Sequence, residues 1–286
     1  MQQPTSRHHT LLRALLALAI AGSLACAPAA EQDGESAPLE LGEIAYELLA
    51  SGAVELVDLS YPLSPDSLYW PTGSPFEHQL SSGISDGGYW YASGDFSSPE
   101  HLGTHIDAPI HFGQGGWTVS EIPLQRLLAR GIVIDISAKS AADPDATLSE
   151  ADIDAWEERN GPIAPGSIVI VRTGWAARWP DENAYYGTET PEDVSTLHFP
   201  GVSPAAAAAL AERGVYGVGL DTASIDPGIS STFPAHQVLA AASIFNLENL
   251  TNIADLPETG FGVIALPMNI KDGTGGPTRV VAVVRR

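Results

Sequence analysis

Apolar and polar positions fall into two regimes along this chain. Glu55–Ser60 and Ile132–Ile136 are short and dense in β-branched residues, as strands are. Ser167–Arg172 is apolar without interruption, which predicts a strand covered on both faces. Ser149–Glu158 opens with a serine cap and an acidic first turn and predicts a helix. Ser203 followed by Pro204 and an alanine-rich run to Arg213 repeats that logic, with Gly214 as the stop. Strands are then expected over Val215–Leu220, Ile244–Leu247, Gly262–Leu266 and Arg279–Val284, with a short helix over His236–Ser243. Helices alternate with strands in the second half, while the first half reads as strand and loop. The pattern is that of a mixed α/β protein.

The first residues stand apart from that pattern. Residues 1–26 have a basic start and a short apolar run ending in small residues, and read as a secretory signal of lipoprotein type. The run is too short to span a bilayer, which takes about 20 apolar residues. Cys26, the only cysteine, ends it and would carry a lipid anchor; cleavage after Ala27-Pro28-Ala29 would instead discard it. Either course exports the protein to the periplasm or a membrane surface. Residues 27–38 have a tether's composition, and residues 39–286 are long enough for one domain, with no internal repeat or second linker.

A formal charge of −22, with Lys139 and Lys271 the only lysines, excludes nucleic acid as a partner, since no basic patch could offset phosphate repulsion. Membrane contact is expected only through Cys26. No Gly-x-Ser-x-Gly elbow is present, and Gly273–Pro277 lacks the Gly-Lys-Ser/Thr ending of a phosphate loop. Gly217-Val-Gly219 lacks the third glycine of a dinucleotide fingerprint.

The chemistry concentrates in His101-Leu-Gly-Thr-His105-Ile-Asp107-Ala-Pro-Ile-His111-Phe112. In an extended backbone His101, His105, Asp107 and His111 would all point to one side. Gly103 and Pro109 argue against a helix there. Imidazoles and a carboxylate converging on one point suit a first-row metal, with a spare histidine beside it. His236 and Glu248 form a weaker pair downstream. His78 and His198 lack such company and read as surface or core residues. Asp221, Ser224 and Asp226 read first as turn and capping residues. Trp70, Trp90 and Trp175 could line an aromatic-accepting pocket, although packing is the default for each.

The pattern His-x-Gly-Thr-His-x-Asp-x-Pro-x-His-Phe resembles the signature of the metal-dependent cyclase-like hydrolases, the family of bacterial kynurenine formamidase and isatin hydrolase. Asp58–Leu63, Arg172–Trp175, Phe199–Gly201, Gly219–Asp226, His236 to Asn252 and Gly275–Arg279 resemble later family blocks in the same order. Where relatives often have Asn before the first histidine, this chain has Glu100.

That resemblance implies a swivelling β/β/α fold, dimeric or larger, with His101, His105, Asp107, His236 and Glu248 as ligands to one or two divalent metals, Zn or Mn. It implies His111 as the acid/base. The expected function is an exported hydrolase that opens an amide by metal-activated water, acting on an aryl formamide or an isatin-like lactam. Hydrolysis of lactones, or tethered binding without turnover, are the alternatives.

Overall fold

The computed structural model describes residues 49–286. The expected signal, the tether and residues 39–48 lie outside the described residues. One eight-stranded sheet organises the rest. Its strands are β1 (Val54–Asp58), β4 (His105–Asp107), β5 (Leu128–Asp135), β7 (Ile168–Arg172), β9 (Gly217–Leu220), β10 (Phe245–Glu248), β11 (Phe261–Pro267) and β12 (Gly275–Arg285).

Their order is β1-β12-β11-β5-β7-β9-β10-β4, and β12 pairs again with β4. The long β12 does both jobs. Its second half lies against β1, while Gly275–Pro277 lies against β4, so the sheet closes on itself like a barrel. The strands β5, β7, β9 and β10 run parallel through the middle, as crossover helices require.

The expected two-faced burial of Ser167–Arg172 is seen residue by residue. Val169 and Val171 join the layer under the helices, while Ile168 and Ile170 join the barrel interior with Val263, Ala265 and Val280. The helices above are α2 (Glu150–Asn160), α4 (Pro204–Glu212) and α5 (Pro234–Ala241). Ser149 caps α2 in a reciprocal capping box with Asp152, and Ser203 caps α4 ahead of Pro204. Short helices α1 (Ser137–Ala142) and α3 (Glu182–Tyr186), and a two-residue pair of β6 (Thr147–Leu148) with β8 (Gly201–Val202), fill the connections.

The mixed α/β expectation holds. The short α1, α3 and β6–β8 pair were not anticipated, nor was the separate two-stranded ribbon formed by β2 (Glu77–Ile84) and β3 (Trp90–Ser97). The last strand also starts four residues before the expected Arg279, at Gly275.

Two glycines let aromatic rings lie flat on the sheet. Phe261 sits beside Gly131 and Phe245 beside Gly217 in register. A Cβ at either glycine would fall 2.2 Å from its partner's ring. Gly217→Ala should therefore destabilise the protein by about 1–3 kcal/mol, as overpacking does. Urea unfolding measures this, and an unchanged midpoint would show that the Phe245 ring is free to swing aside.

Candidate metal centre

The closure of the sheet brings the chemistry together. In register, β4 has His105 opposite Glu248 on one side and Pro277 on the other. His236 reaches the same point from the first turn of α5, which Pro234 starts. His105, Asp107, His236 and Glu248 are all buried.

The strand β4 itself covers only His105–Asp107. Gly103 turns at φ +57°, and β12 passes so close that a Cβ on Gly275 would meet His101 at 2.6 Å. Beyond Asp107, Pro109–His111 forms a single 3₁₀ turn. The four residues do share one side, but through these two turns rather than by the alternation expected. His111 stacks on His101 with ring centroids 3.9 Å apart.

Outer hydrogen bonds decide which nitrogen of each imidazole faces inward. His105 Nδ1 lies 2.9 Å from the Gly103 carbonyl, so it carries the proton. Its Nε2 then faces Asp107 at 3.3 Å and Glu248 at 3.4 Å, and no hydrogen bond satisfies it. His236 Nδ1 donates to Asp226 at 2.7 Å, leaving Nε2 at 3.1 Å from Asp107 and 3.2 Å from Glu248.

The third case runs through a hydroxyl. Thr274 Oγ1 donates its single proton to Glu100 at 2.6 Å, so toward His101 Nε2, 2.9 Å away, it must accept. His101 Nδ1 is thereby left facing Asp107 Oδ1 at 2.6 Å.

Three imidazole lone pairs thus converge on two carboxylates in a buried space, an arrangement that only protons or a cation can reconcile. With protons alone, burial would lower the His105 pKa, but Asp107 and Glu248 outweigh it and push it up to about 10. His236 rises in the same way, burial being overridden by Asp107, Asp226 and Glu248. Burial disfavours the Asp107 carboxylate, yet the three histidines hold it well below its usual range. An all nitrogen-and-oxygen donor set with a bare Nε2 fits a divalent metal. Donor atoms of His105, Asp107 and Glu248 lie within 4.8 Å of one another, as do those of His101, Asp107 and His111. Asp107 belongs to both groups, which leaves room for one ion or two.

Above these donors opens a cavity of about 350 Å³. Tyr69, Trp70, Phe112, Tyr186 and Phe233 wall it, and Ser224 and Asn249 add polar groups. Phe233 is held in the left-handed region at φ +50°, with its ring edge-on to Trp70 and His236. His111 opens onto this cavity; desolvation by the walls pushes its pKa down to about 4, against the pull of Asp107. Its imidazole is neutral at neutral pH. Of the three tryptophans considered from sequence, Trp70 lines the cavity, Trp175 is core, and Trp90 is exposed on the ribbon. His198 pairs with Asp145, and His78 sits on the ribbon.

The Cyclase family model matches residues 57–227. Isatin hydrolase of Roseibium aggregatum is 36% identical over 257 residues, covering 82% of this chain and 94% of the relative. Kynurenine formamidase of Salinibacter ruber is 28% identical over 228 residues, covering 79% and 96%. A crystal structure of an isatin hydrolase bound to the product analogue thioisatinate superposes with a TM-score of 0.78 at 35% identity, covering 86% of this chain and 98% of that one. The chain belongs to the Cyclase family.

Within this Cyclase-family site, the residues that sequence reasoning missed stand one shell out. Asp226 does more than cap: it takes the backbone N–H groups of Ala235 and His236 as well as the His236 ring. Asn249 donates to the Gly103 carbonyl at 2.8 Å and accepts from Tyr185 at 2.8 Å, steadying the group that orients His105. Asp221, by contrast, binds Thr173 and Ala176 and is structural. Adjacency to His101 was the one sequence signal for Glu100; Thr274 carried none.

Such outer partners typically contribute 10–100-fold in metal affinity. Asp226→Asn should weaken divalent-metal binding by about that factor while the protein stays folded, measured by competition with a chromophoric chelator. Unaltered affinity would mean that Asp226 does not set the His236 tautomer.

Proposed function

We propose that this protein is an exported metal-dependent amidohydrolase that opens an isatin-like cyclic aryl amide. The observation that carries the reading is the set of inward lone pairs and carboxylates at the floor of an aromatic-walled cavity. The wholesale similarity to isatin hydrolase supports the choice of substrate class. His101, His105, Asp107, His236 and Glu248 would hold the metal, Zn²⁺ or Mn²⁺, both of which accept this donor set. Residues 1–26 would direct export, with Cys26 lipidated at the membrane surface.

A divalent metal in this place supplies Lewis acidity, acidifying water and polarising a carbonyl. The chain's own residues do the rest. Tyr69, Trp70, Phe112 and Phe233 offer a flat aryl group apolar surface and exclude bulk water. The Ser224 hydroxyl, buried and without a hydrogen-bond partner, is free to bind an amide oxygen. His111, neutral and stacked on His101, can take the proton of the attacking water on a ring nitrogen and return it to the leaving nitrogen.

Kynurenine formamidase relatives favour an aryl formamide as the second reading. Incubating metal-loaded protein with isatin, N-formylkynurenine and an aryl lactone separates the cases. The proposal predicts the highest kcat/KM on isatin. Preference for the formamide or the lactone would overturn the substrate class, and tight binding without hydrolysis would mark a non-catalytic binder. His111→Ala should lower turnover by about 10²–10⁴-fold with metal content unchanged. Loss of the metal would make His111 a ligand instead.

A further inference from the structure

The turn that carries His111 is held from behind. Ile110 donates its N–H to the Trp117 carbonyl at 3.0 Å, and Gly113 donates to the Pro109 carbonyl at 2.9 Å. Between them runs Gly113-Gln-Gly-Gly116, pressed against the turn. A Cβ on Gly116 would meet the Pro109 carbonyl carbon at 2.8 Å. One on Gly113 would meet the Pro109 oxygen at 2.8 Å and Ala240 of α5 at 3.3 Å. A glycine-rich run is costly to order and has to be fixed from its ends. One end is Phe112, whose ring lies 4.4 Å from that of His236. The other is Trp117.

Trp117 is fixed by Arg126, the last residue of a 3₁₀ turn (Leu124–Arg126) ahead of β5. The guanidinium lies 4.7 Å from the Trp117 ring centroid and 4.8 Å from that of Tyr216. Tyr216 is itself anchored in the sheet. Its N–H donates to Ser167 just before β7, and its carbonyl accepts from Phe245 at the start of β10. Arg126 also donates to the Ser243 carbonyl at 2.9 Å, where the chain leaves α5 and turns at φ +56°. A planar guanidinium can face aromatic rings and donate at the same time. One side chain thus joins the loop behind His111, the rim of the sheet and the end of the helix that carries His236. Arg126 itself does not line the cavity.

We propose that Arg126 is a positioning residue for the reaction: through Trp117 and Ser243 it keeps the His111 turn and the His236 helix in one fixed relation. The inference rests on the proton-transfer role given to His111 above. Proton transfer depends steeply on placement, and a shift of about 1 Å costs on the order of 100-fold. The aromatic walls that bind substrate are not among the groups Arg126 contacts.

Steady-state kinetics on isatin with the Zn²⁺-loaded variants Arg126→Met and Trp117→Leu test this. Each should lower kcat by about ten- to a hundred-fold, with KM and bound zinc unchanged. The double variant should lose no more than the worse single one, because both break the same link. Histidine ring NMR gives a readout that needs no substrate. The His111 signals, identified by their loss in His111→Ala, should move in Arg126→Met while those of His198 stay in place. A variant that melts earlier yet keeps its kcat, additive losses in the double variant, or unmoved His111 signals would overturn the proposal. Should Arg126→Met fail to fold, Trp117→Leu reads the same link from its other side. A wild-type chain that leaves isatin intact sinks only the reading of function, and the His111 signals then decide the role of Arg126.

Discussion

The structure hangs on the Asp107 carboxylate. One oxygen faces His101 and His105 and the other faces His236, all inside a buried space that also holds Glu248. Buried charge of this density is tolerated only when it is paired, and the imidazoles that would pair it are turned by their outer hydrogen bonds to present lone pairs instead. The site is therefore built to demand a cation. With protons alone, the carboxylates push His105 and His236 up and the histidines hold Asp107 down.

The same three-residue strand carries the architecture. β4 sits between β10 and β12, and its pairings close the barrel. His105 and Asp107 are thus at once ladder residues and site residues, and Glu248 meets His105 because they are register partners. The outer hydrogen bonds come from separate places: the Gly103 turn, Asp226 ahead of α5, and the Glu100–Thr274 pair beside β12. Each imidazole is oriented by a different piece of the fold, so the donors are preorganised only when the whole sheet is closed. Glu100 sets what Thr274 can do: a carboxylate accepts the hydroxyl proton outright and leaves His101 no choice of tautomer.

Much of this was legible in the sequence, and what was not has identifiable causes. Ser167–Arg172 and the capped helices follow from local patterning that tertiary structure had no reason to override. The ribbon was missed because Ser81-Ser82-Gly83 and Ser93-Gly94 dilute the β signal of Leu80, Ile84, Trp90 and Phe96. Gly275-Gly276-Pro277 reads as a turn and becomes strand only because β4 lies beside it. The residues His101, His105, Asp107 and His111 announced the centre, but a period of two could not foresee a left-handed Gly103 or the 3₁₀ turn at Pro109. The outer residues were invisible for a different reason. Thr274 and Asn249 act on residues distant in the chain, His101 and Gly103, and adjacency to Glu248 was the one local signal for Asn249.

The central claim is that these lone pairs and carboxylates exist to hold a divalent cation. Anomalous scattering from crystals of the protein grown with Zn²⁺ or Mn²⁺, recorded above and below the metal's absorption edge, tests it most directly. An anomalous peak is expected within coordination distance of His105 Nε2, His236 Nε2, Asp107 and Glu248, with His101 Nδ1 beside the same ion or a second one. A centre that holds no anomalous scatterer under saturating metal, or a peak bound to other residues, would contradict it.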